Sequence, residues 1–239
     1  MGNPTFYYYP SPQGNTNFLK TIDMGEPLAE FYTEFQVDSI KKEVHSMRND
    51  WKNFHEYDCW QSDSLIHILQ TQCLLGDAIY LAKEHEFNKD LQEKLKVRFD
   101  WLYQLTFTEI EKQFGLQVEF DDRLPVPGFH VFGGQDYNTI THVDLDVLEY
   151  YPEVSPGTVV SFISVIQCSE TPAFLDIIID DETWKHEESF EYKFGCLHFW
   201  NGMIPHRVGR FKLDDGEYRI TFQGHFYVDP KSRIAKVYF

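Results

Sequence analysis

The spacing of apolar residues changes near Gly115 and divides the chain into two patterns. From Glu26 to Gly115 apolar residues recur every three or four positions, which is the period of one face of an α-helix. After Gly115 apolar and polar residues alternate, which is the period of a half-buried strand. The pattern therefore predicts an α+β protein in which a helical layer precedes an antiparallel β-fold.

Polar residues that precede apolar stripes mark the expected helix starts. Three such residues are predicted to cap helices: Asp38, Asp63 and Asn88. We expect the second helix to continue to Leu81, and the third to end at Gly115, because glycine readily adopts a left-handed conformation. Residues 1–25 are rich in Pro, Gly, Asn and Tyr, and they are expected to form an irregular arm.

The second half of the chain contains many short strand candidates with no helical pattern between them. They cover residues 116–120, 129–132, 158–166, 174–179, 189–194, 196–200 and 218–228. Turn residues separate them, as at Asn201-Gly202. This arrangement favours a sandwich or barrel. We expect one catalytic domain over residues 1–239, with an arm and supporting helices in 1–115 and a β-core in 116–239.

The charge of the chain excludes some partners. With 21 basic and 38 acidic residues the net charge is −17, which disfavours binding to nucleic acid or to an anionic membrane. An anionic cosubstrate would need a local basic residue.

The four cysteines lack the spacing of a zinc site, and the N-terminus does not resemble a signal peptide. We expect a cytoplasmic monomer or homodimer.

His142 and Asp144 form the first candidate for chemistry. If they lie in a strand, residues two apart point to the same side, so the imidazole and the carboxylate would converge. Taken alone the motif is weak, since both residue types are common in the chain. A structural histidine or a surface pair explains it as well.

His206 could complete a metal site with these two residues. It follows an apolar strand candidate and a turn, far enough from His142 to belong to another strand of the same β-fold. Two histidines and one carboxylate on one side of a metal form the facial triad that suits Fe(II), because it leaves coordination positions open.

Arg219 adds a possible anion-binding group to this candidate metal site. In the strand candidate 218–228, Arg219, Thr221, Gln223 and His225 share one face. A buried arginine needs an anionic partner, and its fork can hold a carboxylate through two hydrogen bonds. Thr221 could add a third hydrogen bond. An internal ion pair with an Asp or Glu is the alternative.

Three motifs in this order resemble those of the Fe(II)/2-oxoglutarate-dependent dioxygenases: His142-x-Asp144, His206-Arg207-Val208 and Arg219-x-Thr221. The resemblance covers residues from about 116 to 230. It implies a double-stranded β-helix (jelly-roll) core braced by the N-terminal helices. It also implies Fe(II), 2-oxoglutarate and O2 as cofactor and cosubstrates. His142, Asp144 and His206 would then bind iron, while Arg219 and Thr221 would bind the distal carboxylate of 2-oxoglutarate.

A smaller resemblance concerns the substrate. The short chain and the segment 124–130 resemble a bacterial subgroup that hydroxylates or chlorinates free amino acids such as lysine. In the halogenases of that subgroup a glycine replaces the iron-binding carboxylate. This chain keeps Asp144, so the resemblance implies hydroxylation.

Further residues could contact the substrate. Gln223 and His225 lie beyond Arg219 on the same strand face, and Trp200 and His130 could form the pocket walls. Each could equally be a packed core residue. Asp146 could contact an amine or be solvated.

The expected function is oxidation of an unactivated C–H bond in a small molecule, with hydroxylation of a free amino acid or a derivative as the first hypothesis. The same iron chemistry could give desaturation or cyclisation in a biosynthetic pathway. A jelly-roll protein that binds or senses a metal without catalysis is the alternative from another class.

Overall fold

The computed structural model describes residues 31–53, 72–79, 87–133, 141–168, 174–178, 187–209, 211–214 and 216–239. The predicted arm over residues 1–25 lies outside these ranges. The described residues form four α-helices, two 3-10 helices and two β-sheets, so the predicted α+β class is confirmed. In this part of the chain, no helix combines the length and the apolar character that a membrane span requires.

Helix α1 spans Glu34–Ser46 and begins earlier than predicted. Thr33 Oγ1 accepts a hydrogen bond from the Gln36 amide at 3.2 Å, and the Gln36 side chain accepts one from the Thr33 amide at 2.9 Å. This reciprocal capping box satisfies two backbone donors at the helix start. The prediction that Asp38 caps the helix is therefore wrong. Asp38 is exposed and pairs with Lys41 instead, at 3.1 Å.

The third predicted helix is confirmed, but it is broken in two. The pieces are α2, Lys89–Arg98, and α3, Asp100–Phe114. Asn88 caps α2 through the Leu91 amide at 3.1 Å, as predicted. Gly115 ends α3 with a φ of 66°, a conformation that glycine adopts without a Cβ clash. The break falls at Phe99, whose buried ring lies 4.7 Å from that of Phe129. A one-turn helix, α4, spans Val147–Tyr150.

The second predicted helix is wrong over residues 72–75. Gln72–Leu75 form strand β2, which pairs antiparallel with Gly128–Gly133, strand β4. A short apolar run fits a helix or a buried strand equally well, and here pairing with β4 decides. Asp63 and much of the remainder of that predicted helix lie outside the described residues.

The strands of the described residues are β1 Lys52–Asn53, β2 Gln72–Leu75, β3 Val118–Phe120, β4 Gly128–Gly133, β5 Val159–Gln167, β6 Phe174–Ile178, β7 Glu187–Glu191, β8 Leu197–Asn201, β9 His206–Val208, β10 Tyr218–Val228 and β11 Ala235–Tyr238. The larger sheet follows the order β1-β2-β4-β10-β11-β3, with β5 on the other edge of β10 and β8 beyond β5. The smaller sheet follows the order β7-β6-β9. The sequence missed β1, β2, β9 and β11.

Strand β10 is the centre of the larger sheet. Along one edge it pairs first with β4, over Tyr218–Gln223, and then with β11, over His225–Val228. Along its other edge it pairs with β5 from Ile220 to Tyr227. Because β10 contacts three strands, the side chains on its two faces are fixed relative to much of the sheet.

The two faces of the larger sheet have different partners. On the outer face, aromatic rings of the sheet pack on helix rings in three pairs: Phe129 on Phe99, Phe222 on Tyr103, and Phe226 on Phe114. On the inner face, Ile163, Val165 and Trp200 pack with β6 of the smaller sheet and with Tyr192. The two sheets therefore stack, and the helices brace one of them, as the jelly-roll expectation requires.

Candidate metal centre

Backbone pairing brings the three predicted metal ligands together. His206 is the first residue of β9, and His142 pairs with it through two backbone hydrogen bonds of 2.9 Å each. Asp144 donates its amide to the carbonyl of Gly202 at 2.8 Å. The triad thus joins the start of β9, the turn after β8 and the segment around residue 142.

His142 and Asp144 do not lie in a regular strand, so the condition under which their side chains were expected to converge is not met. Within the described residues His142 forms an isolated bridge, and helix α4 begins soon after Asp144. The geometry is set by close packing at Gly202, where an added Cβ would lie 3.0 Å from the Asp144 carbonyl oxygen. The side chains still converge, because the bridge to His206 and the hydrogen bond to Gly202 hold both residues.

The donor atoms of the triad lie within 4.8 Å of one another. The Nε2 atoms of His206 and His142 lie 3.2 and 3.6 Å from the two carboxylate oxygens of Asp144. The Nδ1 atom of His206 lies 2.8 Å from the carbonyl oxygen of Ile204. A hydrogen on Nδ1 satisfies that carbonyl and leaves the Nε2 lone pair free to bind a metal.

The electrostatics of the triad favour an ionised carboxylate. Burial opposes ionisation of Asp144, but the neighbouring His206 and His225 hold its pKa well below the usual range. Burial alone would lower the pKa of His206, yet the adjacent Asp144 carboxylate raises it above the usual value. His142 is 46% exposed and His206 only 4% exposed, so the cluster is open to solvent on the His142 side.

Arg219 lies on the inner face of β10 and is fully buried. Among the described residues, none of its three guanidinium nitrogens has a hydrogen-bond partner. The expected alternative of an internal ion pair is therefore not found in this part of the chain. Its surroundings are aromatic, with Cζ 4.5 Å from the ring centroid of Phe211, 5.3 Å from that of Tyr192 and 5.4 Å from that of Phe132.

Two hydroxyl groups near Arg219 also lack partners in the part of the chain that the structure describes. Thr221 Oγ1 and the Tyr192 hydroxyl are buried without hydrogen bonds within the described residues. Thr221 was predicted, but Tyr192 was not. Burial lowers the pKa of Arg219 and raises that of Tyr192, so the neutral state of the phenol is favoured and it can donate a hydrogen bond. A buried cation and two hydroxyls form a site that an anion would satisfy.

The predicted substrate residues lie on the same inner face. His130 is opposite Thr221 in the sheet, and its Nε2 atom lies 2.7 Å from the Gln223 side-chain nitrogen. The ring of Trp200 meets that of His206 edge-on at a centroid distance of 5.2 Å. His225 lies instead beside Asp144, with Nδ1 3.8 Å from Oδ2.

Asp146 also lies near the cluster, directly before α4. Its side chain makes no capping hydrogen bond to that helix. Burial, with the nearby Asp144 carboxylate, raises the pKa of Asp146 to about 6. A cationic group beside it would favour its ionised form.

Ser161 is a residue that sequence reasoning missed. It is fully buried on β5, and its hydroxyl donates to Asp144 Oδ2 at 2.5 Å. It also lies opposite both Trp200 and His225 in the sheet. A serine in a β-branched run carries no local signal for this role, because the pairing register is needed to place it beside Asp144.

Comparison with known proteins gives structural matches only. No protein-family model matches the chain, and no curated protein matches it. A prolyl-4-hydroxylase from Pseudomonas putida matches at 15% identity with a TM-score of 0.45, covering 84% of this chain and 91% of that one. A non-haem α-ketoglutarate-dependent epimerase from nogalamycin biosynthesis matches at 12% identity with a TM-score of 0.48, covering 84% and 78%.

A third structure is an N-substituted L-amino acid dioxygenase from Burkholderia ambifaria, in complex with α-ketoglutarate. It matches at 10% identity with a TM-score of 0.43, covering 84% of this chain and 91% of that one. All three are distant in sequence, so the chemistry of this chain is inferred from its own residues.

Proposed function

We propose that this chain is an Fe(II)- and 2-oxoglutarate-dependent dioxygenase that hydroxylates an unactivated C–H bond of a small molecule, with a free amino acid or a derivative as substrate. The observation that carries the proposal is Arg219. It is a fully buried cation without a hydrogen-bond partner in the described residues. It lies on the same strand, β10, as His225, which is beside Asp144 of the His-Asp-His cluster.

The donor set fits Fe(II). Two imidazole nitrogens and one carboxylate suit this metal, because they leave open positions for a bidentate cosubstrate and for O2. Among the described residues, neither a cysteine nor a fourth ligand of another type joins this cluster, as a structural zinc site would require. His142, Asp144 and His206 would hold the metal.

The inner face fits 2-oxoglutarate. A carboxylate placed at Arg219 would receive two parallel hydrogen bonds from the guanidinium fork, while Thr221 and Tyr192 could each add one. The aromatic rings around Arg219 exclude water, which strengthens the attraction between these charges. The protein thereby offers the local cation that an anionic cosubstrate needs on a chain of net charge −17.

When bound, the iron with 2-oxoglutarate and O2 would supply the oxidising power for attack on a C–H bond. The residues of the chain orient the metal ligands and shield them from water. Ile204 holds the His206 ring through its carbonyl, and Trp200 packs against the same ring. The exposed side at His142 leaves a path by which a substrate could approach.

An amino-acid substrate is supported by polar groups on the same side of the sheet. His130 and Gln223 form one pair that could bind a polar substrate group. Asp146 lies near Asp144 and could bind an amine. Desaturation or cyclisation would use the same residues, and mass spectrometry of the product separates these outcomes from hydroxylation.

The test of the proposal replaces Arg219 with methionine. An apolar side chain of similar length fits the ring-lined site and removes a buried, unpaired charge. The free energy of unfolding of the ligand-free protein should therefore rise, by about 1–4 kcal/mol. Binding of 2-oxoglutarate to the Mn(II)-loaded protein, measured by calorimetry, should be lost, while Mn(II) binding remains.

Arg48→Met is the matched control. Arg48 also lies over aromatic rings, those of Trp51 and Tyr218, but it is exposed and donates to the Tyr218 hydroxyl at 2.8 Å. This change should leave 2-oxoglutarate binding intact. If Arg219→Met destabilises the ligand-free protein and spares 2-oxoglutarate binding, Arg219 is a structural residue and the proposal fails.

A further inference from the structure

The two carboxylate oxygens of Asp144 have different surroundings. Oδ1 lies 3.6 Å from His142 Nε2 on the open side of the cluster. Oδ2 lies 3.2 Å from His206 Nε2, 2.5 Å from the Ser161 hydroxyl and 3.8 Å from His225 Nδ1. Two residues outside the triad, Ser161 and His225, therefore lie beside Oδ2.

The hydroxyl of Ser161 has a fixed direction. A serine hydroxyl has one proton, and at 2.5 Å from a carboxylate oxygen that proton is donated to Asp144. Ser161 is fully buried, and no part of its side chain reaches solvent. A short, charge-assisted hydrogen bond of this kind restricts rotation of the carboxylate about its terminal bond.

His225 completes the chain of hydrogen bonds. Its Nδ1 atom lies 3.0 Å from Ser161 Oγ. Because Ser161 already donates its only proton to Asp144, its oxygen can only accept, so Nδ1 of His225 must carry the hydrogen. The ring is held in place by Tyr238, at a centroid distance of 5.3 Å. The order of donation is therefore His225 to Ser161 to Asp144.

We propose that Ser161 and His225 are positioning residues for the metal-binding carboxylate, and that His225 acts on Asp144 through Ser161 rather than on the substrate. This inference rests on the proposed function, because it assigns a role toward the same metal. It replaces the sequence-based expectation that His225 contacts substrate. The backbone supports it, since Ser161 and His225 are direct cross-strand partners on β5 and β10.

The first test measures Co(II) binding, which is visible by its absorption spectrum and requires no turnover. Ser161→Ala should weaken Co(II) binding by about 10- to 100-fold, as is usual when a group that orients a metal ligand is lost. Its spectrum should also change, because the carboxylate is free to rotate. Ser161→Thr keeps the hydroxyl and should restore both.

Ser164→Ala is the matched control. Ser164 is also a fully buried serine on β5, but it lies opposite Phe222 on the helix-facing side of the sheet. It should leave Co(II) binding unchanged. Urea unfolding of every variant separates loss of metal affinity from loss of the fold. A Ser161→Ala protein that unfolds like the wild type and binds Co(II) equally well overturns the proposal.

The second test is a double-mutant cycle with His225→Phe, which keeps an aromatic ring beside Tyr238. This change alone should weaken Co(II) binding by less than Ser161→Ala does. Added to Ser161→Ala, it should have no further effect beyond about twofold, because both act through one hydrogen-bond chain. Independent, multiplying effects overturn the proposal. A His225→Phe protein that binds Co(II) as tightly as the wild type also overturns the role given to His225.

Loss of the metal site and loss of the positioning role give different results. If the wild-type protein does not bind Co(II), or binds it equally after His142→Ala, the proposed function fails and this inference fails with it. If the wild type binds Co(II) through His142 but Ser161→Ala has no effect, only the positioning role is wrong.

Discussion

Two buried histidines on the inner face should make the stability of the fold depend on pH. Burial lowers the pKa of His130 to about 3 and that of His198 to about 4, from an ordinary value of 6.5. Both are therefore neutral in the folded protein at pH 5, while in the unfolded chain they would be protonated. The contribution of these two histidines to the free energy of unfolding is fully present above pH 6.5, and it is lost as the pH falls toward 4.

His198→Phe tests this dependence. Phenylalanine should keep the edge-on contact with the Tyr192 ring, which lies 5.6 Å from that of His198, and cannot be protonated. Urea unfolding from pH 7 to pH 4 should show a smaller loss of stability than in the wild type. His45→Gln, at a half-buried site on α1, is the comparison. An equal loss in His198→Phe and the wild type would exclude His198 as a cause.

Single residues differ in how far the sequence can identify them. Arg219 could be predicted because a charged residue inside an apolar strand needs an explanation wherever the strand lies. His142, Asp144 and His206 needed one another, since each motif alone occurs by chance. Ser161 could not be found, because its role depends on which residue lies opposite it on β10.

At the scale of elements, β10 depends on Gly224. An added Cβ there would lie 2.7 Å from the Tyr238 carbonyl oxygen, 2.8 Å from Phe162 and 2.9 Å from Pro127. This is where β10 changes partner from β4 to β11. Gly224→Ala should lower the free energy of unfolding by about 1–3 kcal/mol, because overpacking forces neighbouring atoms apart.

Gly157→Ala is the control for that change. Its added Cβ would lie 3.9 Å from the Met203 sulfur, which is an ordinary contact. Chemical denaturation should therefore give a value within about 0.5 kcal/mol of the wild type. Equal stability of the Gly224 and Gly157 variants would show that the strands around Gly224 yield without cost.

Some helices and strands are determined by their local sequence, and others depend on the strand they pair with. Strand β10 was predicted over its full length, because its alternation is long and its ends are marked by polar turns. Asn88 and Gly115 were also correct, since capping is local chemistry. Strand β2 was predicted as helix, because the pattern of a short apolar run does not distinguish helix from strand. Its conformation depends on pairing with β4.

At the scale of the whole molecule, cosubstrate binding should stabilise the fold. A ligand that binds only the folded state at about 100 times its Kd adds about 2.7 kcal/mol. In a chain of this size that raises Tm by roughly 5–10 °C. Differential scanning fluorimetry should therefore show a rise when 2-oxoglutarate is added to the Mn(II)-loaded protein.

The same rise should be absent in Arg219→Met and present in Arg48→Met. Succinate, which lacks the keto group, should give a smaller rise, because it cannot chelate the metal. If 2-oxoglutarate raises Tm equally with and without Mn(II), the anion binds without the His-Asp-His cluster, and the two halves of the site are not coupled.

The most direct test of the central claim is the visible absorption spectrum of the anaerobic protein with Fe(II) and 2-oxoglutarate. We expect a weak charge-transfer band that requires both additions and disappears in His142→Ala and in Asp144→Ala. A band of the same intensity in those variants, or no band in the wild-type protein, would contradict the assignment of His142, Asp144 and His206 as an iron site that receives 2-oxoglutarate.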